Sequence, residues 1–319
     1  MPHRPLALLW TNEAPVYAQA LAHAGLAEQL DIRSFRLDGR PGPDVLDATE
    51  LMLAWPVPPG TLARMPRLRW IQTLSVGVEG WLDRPDLRVE IALTCARGIH
   101  RVQMPENILA ALFHLTKHFA TFAANQREHR WARRMHEPLA GRTLGILGLG
   151  TIGRELARKA AALELRVIGV KRAPETLPHV ARVYSPEATD EVLAQADFVL
   201  LLMPLTRETD GFMNARRLAA MKPSAYLLNF ARGGLIVDDD LVAAVKAKTI
   251  AGAVLDVFRT EPLPAEHSFW STAGILVLPH VGGGHPRRDE IAAELFVDNA
   301  RRFLAGEPLA MQVDRARGY

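Results

Sequence analysis

Three side chains far apart in the sequence have the types that reduction of a ketone needs. Arg232 stands in LLNFARGG, Glu261 in LDVFRTEPLP and His280 in ILVLPHVGGG, each just beyond a short apolar run. Hydride addition to a keto group leaves an alkoxide, which must gain a proton as it forms. Imidazole ordinarily titrates close to neutrality, so a histidine suits the donor. A neighbouring carboxylate favours the imidazolium and fixes the ring. A guanidinium offers a rigid fork of donors to a substrate carboxylate and polarises a keto oxygen. Singly, the three read as a surface arginine, a loop glutamate and a satisfied histidine. Their shared position, after apolar runs and downstream of a glycine turn, is what gives them chemical meaning.

That turn is TLGILGLGTIGR, with Gly148, Gly150 and Gly153 in G-x-G-x-x-G spacing. The spacing alone recurs by chance, and its context distinguishes it. An apolar strand precedes it, the amphipathic IGRELARKAAAL follows, and the strand RVIGV comes next. In a dinucleotide site the first glycine makes the tight turn and the second lets backbone approach a pyrophosphate. The third lets helix and strand pack closely, with the helix N-terminus facing the phosphates. NAD-selective sites place an acid about 20 residues further on, against the ribose hydroxyls. Here the strand runs into Lys171 and Arg172, two cations that would attract a 2′-phosphate and offer no carboxylate. NADP(H) is the favoured cofactor and NAD(H) the alternative, unless both cations merely face solvent.

These residues need a scaffold of alternating elements. Apolar runs predict strands at 6–10, 51–55, 70–73, 143–147, 166–170, 198–203, 225–229, 252–256 and 275–278. Helical periodicity predicts helices at 152–163 and 239–247, and two longer ones at 103–123 and 287–304. Alternation of this kind implies βαβ units and parallel sheets covered by helices. Pro105 is tolerated only in a first helical turn. The long helices bracket the glycine turn, so the expected layout is a cofactor domain, 99–286, inserted into a smaller α/β domain built from 1–98 and 287–319. In open parallel sheets, ligands bind beyond the carboxyl ends of strands, which is where Arg232, Glu261 and His280 fall.

Composition narrows the class. The 319 residues are 49% hydrophobic and 23% charged, with a net charge of +3. That is the balance of a soluble globular enzyme, with length for two domains. No apolar run approaches the ~20 residues that span a bilayer, and no secretory signal is evident. A single cysteine, Cys95, suits a reducing compartment, the cytoplasm by default, and reads as a small packed residue. The basic run REHRWARR, 127–134, reads as a solvated or interface helix face, not a nucleic-acid patch. His129 and His136 read as surface residues and His285 as a satisfied loop residue. No His, Cys and acid grouping has metal-ligand spacing. Trp131 and Trp270 read as core or interface anchors, with a place at the border of a pocket as the alternative for Trp270; Met104, Met203 and Met221 read as core.

Taken in order, LAGRTLGILGLGTIGRELA, PLTRETDGFMN, MKPSAYLLNFARGGLIVDDDLVAAV, AGAVLDVFRTEPLP, HSFW and VLPHVGGG resemble the D-isomer-specific 2-hydroxyacid dehydrogenases over nearly the whole chain. The ending QVDRARGY is similar to the NADPH-linked glyoxylate/hydroxypyruvate reductase A branch. The resemblance implies two doubly wound parallel-sheet domains, a Rossmann cofactor domain inserted into a discontinuous flavodoxin-like substrate domain. It implies His280 as catalytic histidine, Glu261 as its partner and Arg232 on the substrate. It also implies cofactor contacts at Gly150, Thr151, Ile152, Pro204, Thr209 and Asp256. Backbone N–H groups of the loop 75–78, around Val76 and Gly77, would hold the substrate carboxylate. Lys171 departs from the family's Asp in NAD-dependent members, Glu79 from a common Asp, and Pro105 from a common Ala. The expected activity is reduction of a small 2-keto acid by a homodimer. A larger 2-hydroxy acid, phosphite, or a dinucleotide-sensing role without catalysis are the alternatives.

Overall fold

The computed structural model describes residues 3–318. In chain order the elements are β1 (Leu6–Trp10), α1 (Ala14–His23), β2 (Asp31–Phe35), α2 (Pro43–Ala48), β3 (Thr49–Ala54), β4 (Trp70–Thr73), α3 (Glu79–Leu82) and β5 (Ala92–Thr94). There follow α4 (Gln103–Lys117), α5 (Phe119–Arg127), β6 (Thr143–Leu147), α6 (Thr151–Ala162), β7 (Arg166–Val170), β8 (Arg182–Tyr184), α7 (Thr189–Gln195) and β9 (Phe198–Leu201). The last are α8 (Ala215–Ala219), β10 (Tyr226–Asn229), α9 (Asp238–Lys246), β11 (Gly252–Leu255), β12 (Ile275–Val277) and α10 (Arg288–Ala305). The chain divides into two compact units, one of residues 1–99 with 285–319 and the other of residues 100–284.

The first unit is a parallel sheet of order β2-β1-β3-β4-β5, the flavodoxin order. β1 and β3 are buried at every position, as strands covered on both faces must be. Phe296 of α10 is fully buried, stacks on Trp70 at 5.5 Å between ring centroids and meets Tyr17 edge-on. Truncating such a side chain to alanine costs about 3–5 kcal/mol. The two chain segments of this unit are therefore held by one core. The chain beyond α10 returns along the sheet edge, where Met311 O accepts from Cys95 N–H and Val313 N–H donates to Leu93 O.

The second unit is a seven-stranded parallel sheet, β12-β11-β10-β9-β6-β7-β8. From β6 outward this is the doubly wound dinucleotide-binding order, with the reversal of direction between β6 and β9. β6, β9 and β11 are wholly buried. Next to them α6 lays Gly153, Leu156, Ala157 and Ala160 inward, and the glycine and two alanines let the helix lie close to the sheet.

All nine predicted strands form: four keep the predicted bounds, four are shorter by one or two residues, and β3 begins two residues earlier and ends one earlier. Three further strands, β2, β5 and β8, escape prediction because none carries a run of three consecutive apolar residues. β2, for example, is DIRSF and half exposed, so it lacks an apolar signature. The helix predicted over 103–123 is two helices, since His118 takes a left-handed φ of 53° and ends α4. Apolar spacing runs on across this break, and so conceals it. The basic run is not a helix face either: α5 ends at Arg127, and residues 131–138 are irregular and exposed. Trp131, 94% exposed, is no core residue, whereas Met221 is buried and Met104 and Met203 are half-buried. Among the described residues no helix is long and apolar enough to cross a membrane.

Cys95 is 1% exposed, and burial pushes its thiol pKa up. A buried neutral thiol is a poor nucleophile. A thiol reagent such as DTNB should leave the native protein unlabelled over minutes and titrate one thiol once it is unfolded in guanidinium. Prompt native labelling would contradict this packing.

Candidate active site

Each glycine of the turn after β6 has its own physical reason. Gly148 has φ +117°, and a Cβ there would stand 2.6 Å from the Leu202 carbonyl carbon. A Cβ on Gly153 would meet Gly148 O at 2.6 Å, so α6 could not start so close to the turn. Gly150 is different: a Cβ there would meet no atom of the chain within 4 Å. Nothing internal requires glycine at 150, whereas a pyrophosphate lying on the backbone at the start of α6 would. The residues therefore fit a dinucleotide. Thr151 and Ile152 open the helix beside it. Gly148 N–H and Leu149 N–H both donate to Val170 O, which ties the turn to the end of β7. Beyond β9, Thr209 Oγ1 donates to Pro204 O at 2.8 Å and accepts from Thr206 N–H, closing the loop that carries both residues.

At the end of β7, Lys171 Nζ donates to Ala173 O and lies 3.1 Å from Glu175 Oε1. Arg154, on the first turn of α6, reaches the same oxygen at 3.1 Å. A carboxylate thus stands where the sequence suggested only cations. Glu175 escaped notice because the tight loop after β7 folds it back four residues. Arg172 is exposed.

Arg232, Glu261 and His280 lie beyond the carboxyl ends of three adjacent strands, β10, β11 and β12, which is the arrangement expected. His280 Nδ1 is 2.6 Å from Glu261 Oε2. The other oxygen of Glu261 accepts from Phe258 N–H at 2.9 Å, so the carboxylate is oriented by the loop it belongs to. The His280 side chain is 51% exposed and Glu261 35%. His280 itself has φ +52°, a left-handed turn that aims its ring differently from the preceding strand. Arg232 begins the turn after β10, where the fully buried Asn229 accepts from Ala231 N–H and donates to Arg232 O. The guanidinium donates to Ala231 O from Nη1.

What joins the two loops is a backbone contact. A Cβ on Gly233 would fall 1.9 Å from the carbonyl carbon of Phe258. Arg259 rivets the junction, donating to Gly234 O and Ile236 O while pairing with Asp210. Sequence reasoning missed Asn229, Gly233 and Arg259. The neighbouring Gly-Gly pair was the available signal.

Asp256, expected on the cofactor, is 1% exposed and accepts from Val281 N–H and Gly282 N–H, both at 2.8 Å. Burial pushes its pKa up, against the two N–H bonds that favour the charged form. It anchors the loop that carries His280. Asn107 of α4 holds the same loop by donating to Val281 O and Gly282 O. His285 Nδ1 accepts from Arg287 N–H, and Trp270, 54% exposed, donates to Pro264 O. Among the described residues no three His, Cys, Asp or Glu gather as a metal site.

In the first unit, the loop carrying Val76 and Gly77 is braced from within. Trp81 Nε1 donates to Thr73 Oγ1, which lies 3.0 Å from Ser75 Oγ, and Ser75 Oγ donates to Gly77 O. Val76 is 39% exposed at its tip.

Residues 109–282 match the family described as D-isomer specific 2-hydroxyacid dehydrogenase, NAD binding domain. Glyoxylate/hydroxypyruvate reductase A of Serratia proteamaculans is 30% identical over 311 residues, covering 93% of this chain and 95% of that one. The solved D-isomer specific 2-hydroxyacid dehydrogenase of Xanthobacter autotrophicus, in complex with NADPH and MES, superposes with a TM-score of 0.87. It is 33% identical, with 98% of this chain and 99% of that one covered. The NADPH-dependent glyoxylate/hydroxypyruvate reductase of Sinorhizobium meliloti, in complex with NADP and sulfate, gives 0.85 at 27% identity, covering 99% and 100%.

The glycines separate by test. Gly150→Ala should fold with an unchanged melting temperature yet bind dinucleotide at least about tenfold more weakly. Gly233→Ala should lower stability by about 3 kcal/mol or more, because backbone must move. Equal losses of stability in both variants would refute the distinction.

Proposed function

Since the chain belongs to the D-isomer-specific 2-hydroxyacid dehydrogenases, we propose that it reduces a small 2-keto acid of the glyoxylate/hydroxypyruvate kind to the D-2-hydroxy acid, favouring NADPH and accepting NADH. The observation that carries the reading is the 2.6 Å contact between His280 and Glu261 at the carboxyl edge of a sheet whose central turn fits a dinucleotide. The bound dinucleotide would supply the hydride to the keto carbon. Glu261, held by Phe258 N–H, fixes Nδ1 of His280 and stabilises the imidazolium. That leaves Nε2 to give its proton to the oxygen as the carbonyl becomes an alcohol. Arg232 anchors the substrate carboxylate and draws charge toward the keto oxygen. In this reading Val76 and Gly77 keep the substrate-binding role that the resemblance implies for the loop 75–78.

Support for the cofactor comes from Lys171 and Arg172 after β7, and from the relatives whose solved forms contain NADPH or NADP. A dinucleotide-sensing protein would have no need of the His280–Glu261 pair. The reading further holds that two copies associate through the second unit, where Phe119, Trp131 and Met135 are 66%, 94% and 82% exposed. Exposed large apolar residues at this density suit an interface. The buried lone Cys95 accords with a reducing compartment, the cytoplasm in this reading.

His280→Asn is the decisive variant, because asparagine tolerates the left-handed backbone at 280. Dinucleotide binding should persist while kcat for keto-acid reduction falls by about 10²–10⁴. Arg232→Lys should chiefly raise KM for the keto acid. A panel of 2-keto acids, with NADPH and NADH in parallel, identifies the substrate by kcat/KM. Near-normal turnover by the His280 variant would remove the mechanism.

A further inference from the structure

Glu175 stands in an unusual place for a protein that favours a phosphorylated dinucleotide. Its Oε1 lies 3.1 Å from both Lys171 Nζ and Arg154 Nη2. One cation follows β7 and the other is on the first turn of α6, the two elements that flank the ribose of a dinucleotide in this fold. Glu175 lies beyond Lys171, the sequence position at which an acid meets ribose hydroxyls in NAD-dependent relatives, and reaches that corner through space. The lysine's bond to Ala173 O curls the loop so that the carboxylate comes back over the strand end.

We infer that Glu175 is a cofactor-selectivity residue: its carboxylate competes with the 2′-phosphate of NADPH for Lys171 and offers an acceptor to the free 2′-hydroxyl of NADH. The inference rests on the reading that Lys171 serves the 2′-phosphate. A phosphate entering this corner must displace the carboxylate or lie beside a like charge, while a free ribose meets a ready acceptor. Glu175 is 50% exposed and can swing into water, so the competition tempers phosphate binding without abolishing it. Exposed ion pairs of this kind shift an equilibrium by about fivefold at most.

The test is equilibrium binding of NADP⁺ and of NAD⁺ to the full chain by calorimetry, with wild type, Glu175→Gln, Lys171→Ala and the double variant. Glu175→Gln should tighten NADP⁺ about fivefold and weaken NAD⁺, with no change in melting temperature. Lys171→Ala should weaken NADP⁺ about tenfold and cancel the gain in the double variant. The kcat/KM ratio for the two reduced dinucleotides should move the same way. If Lys171→Ala weakens NADP⁺ but Glu175→Gln leaves both constants within twofold, the inference fails and the cofactor reading survives. If Lys171→Ala leaves NADP⁺ unchanged, the reading beneath it fails, and the inference with it. Equal shifts of both dinucleotides in Glu175→Gln would mark a merely structural residue and overturn the assignment.

Discussion

The active edge of the second unit depends on a backbone contact with no room for a side chain. Gly233 lies against Phe258 so closely that a single methyl group would overlap the carbonyl carbon. That contact locks the turn bearing Arg232 to the loop bearing Glu261. Phe258 N–H then orients the glutamate, and the glutamate holds the histidine ring. Arg259 reinforces the junction with donors to two backbone carbonyls. The order of effects runs from close packing to a fixed carboxylate to a fixed imidazole, and each step uses atoms that the preceding one has positioned.

Two carboxylates in this region have opposite environments and correspondingly different work. Asp256 is sealed from water and spends both oxygens on backbone N–H groups, so its contribution is to the path of the chain through 281 and 282. Glu261 is part-exposed and divides its oxygens between one backbone N–H and one imidazole nitrogen. A half-exposed pair keeps contact with solvent protons, which the proposed role of His280 as a proton donor would require. Their exchange would fail on both sides: a buried histidine partner could not reprotonate, and an exposed loop anchor would be weakened by water.

The nucleotide side follows a related economy. Gly148 and Gly153 are demanded by the chain's own packing, whereas nothing within the chain demands Gly150. The cations near β7 are drawn in by a carboxylate of the same loop, so the electrostatic character of the corner is mixed. Charge counts along the sequence would have described it as simply basic.

The sequence by itself determined the fold class, the nine main strands, the glycine turn and the placement of Arg232, Glu261 and His280 just after three strands. Each is written in a local pattern: apolar runs of strand length, fixed glycine spacing, and a polar residue directly after a buried strand. Edge strands β2, β5 and β8 were not legible, since DIRSF, ALT and RVY carry no run of three consecutive apolar residues, whereas the edge strand β12, ILV, does. Neither was the break at His118, where backbone conformation changes while the apolar period continues. Tertiary structure alone decided that Asp256 anchors the His280 loop, that Gly233 packs on Phe258, and that Glu175 meets Lys171. These depend on which loops the sheet order β12-β11-β10 and the curl after β7 bring within a few ångströms. Distance through space of that kind has no counterpart in linear spacing.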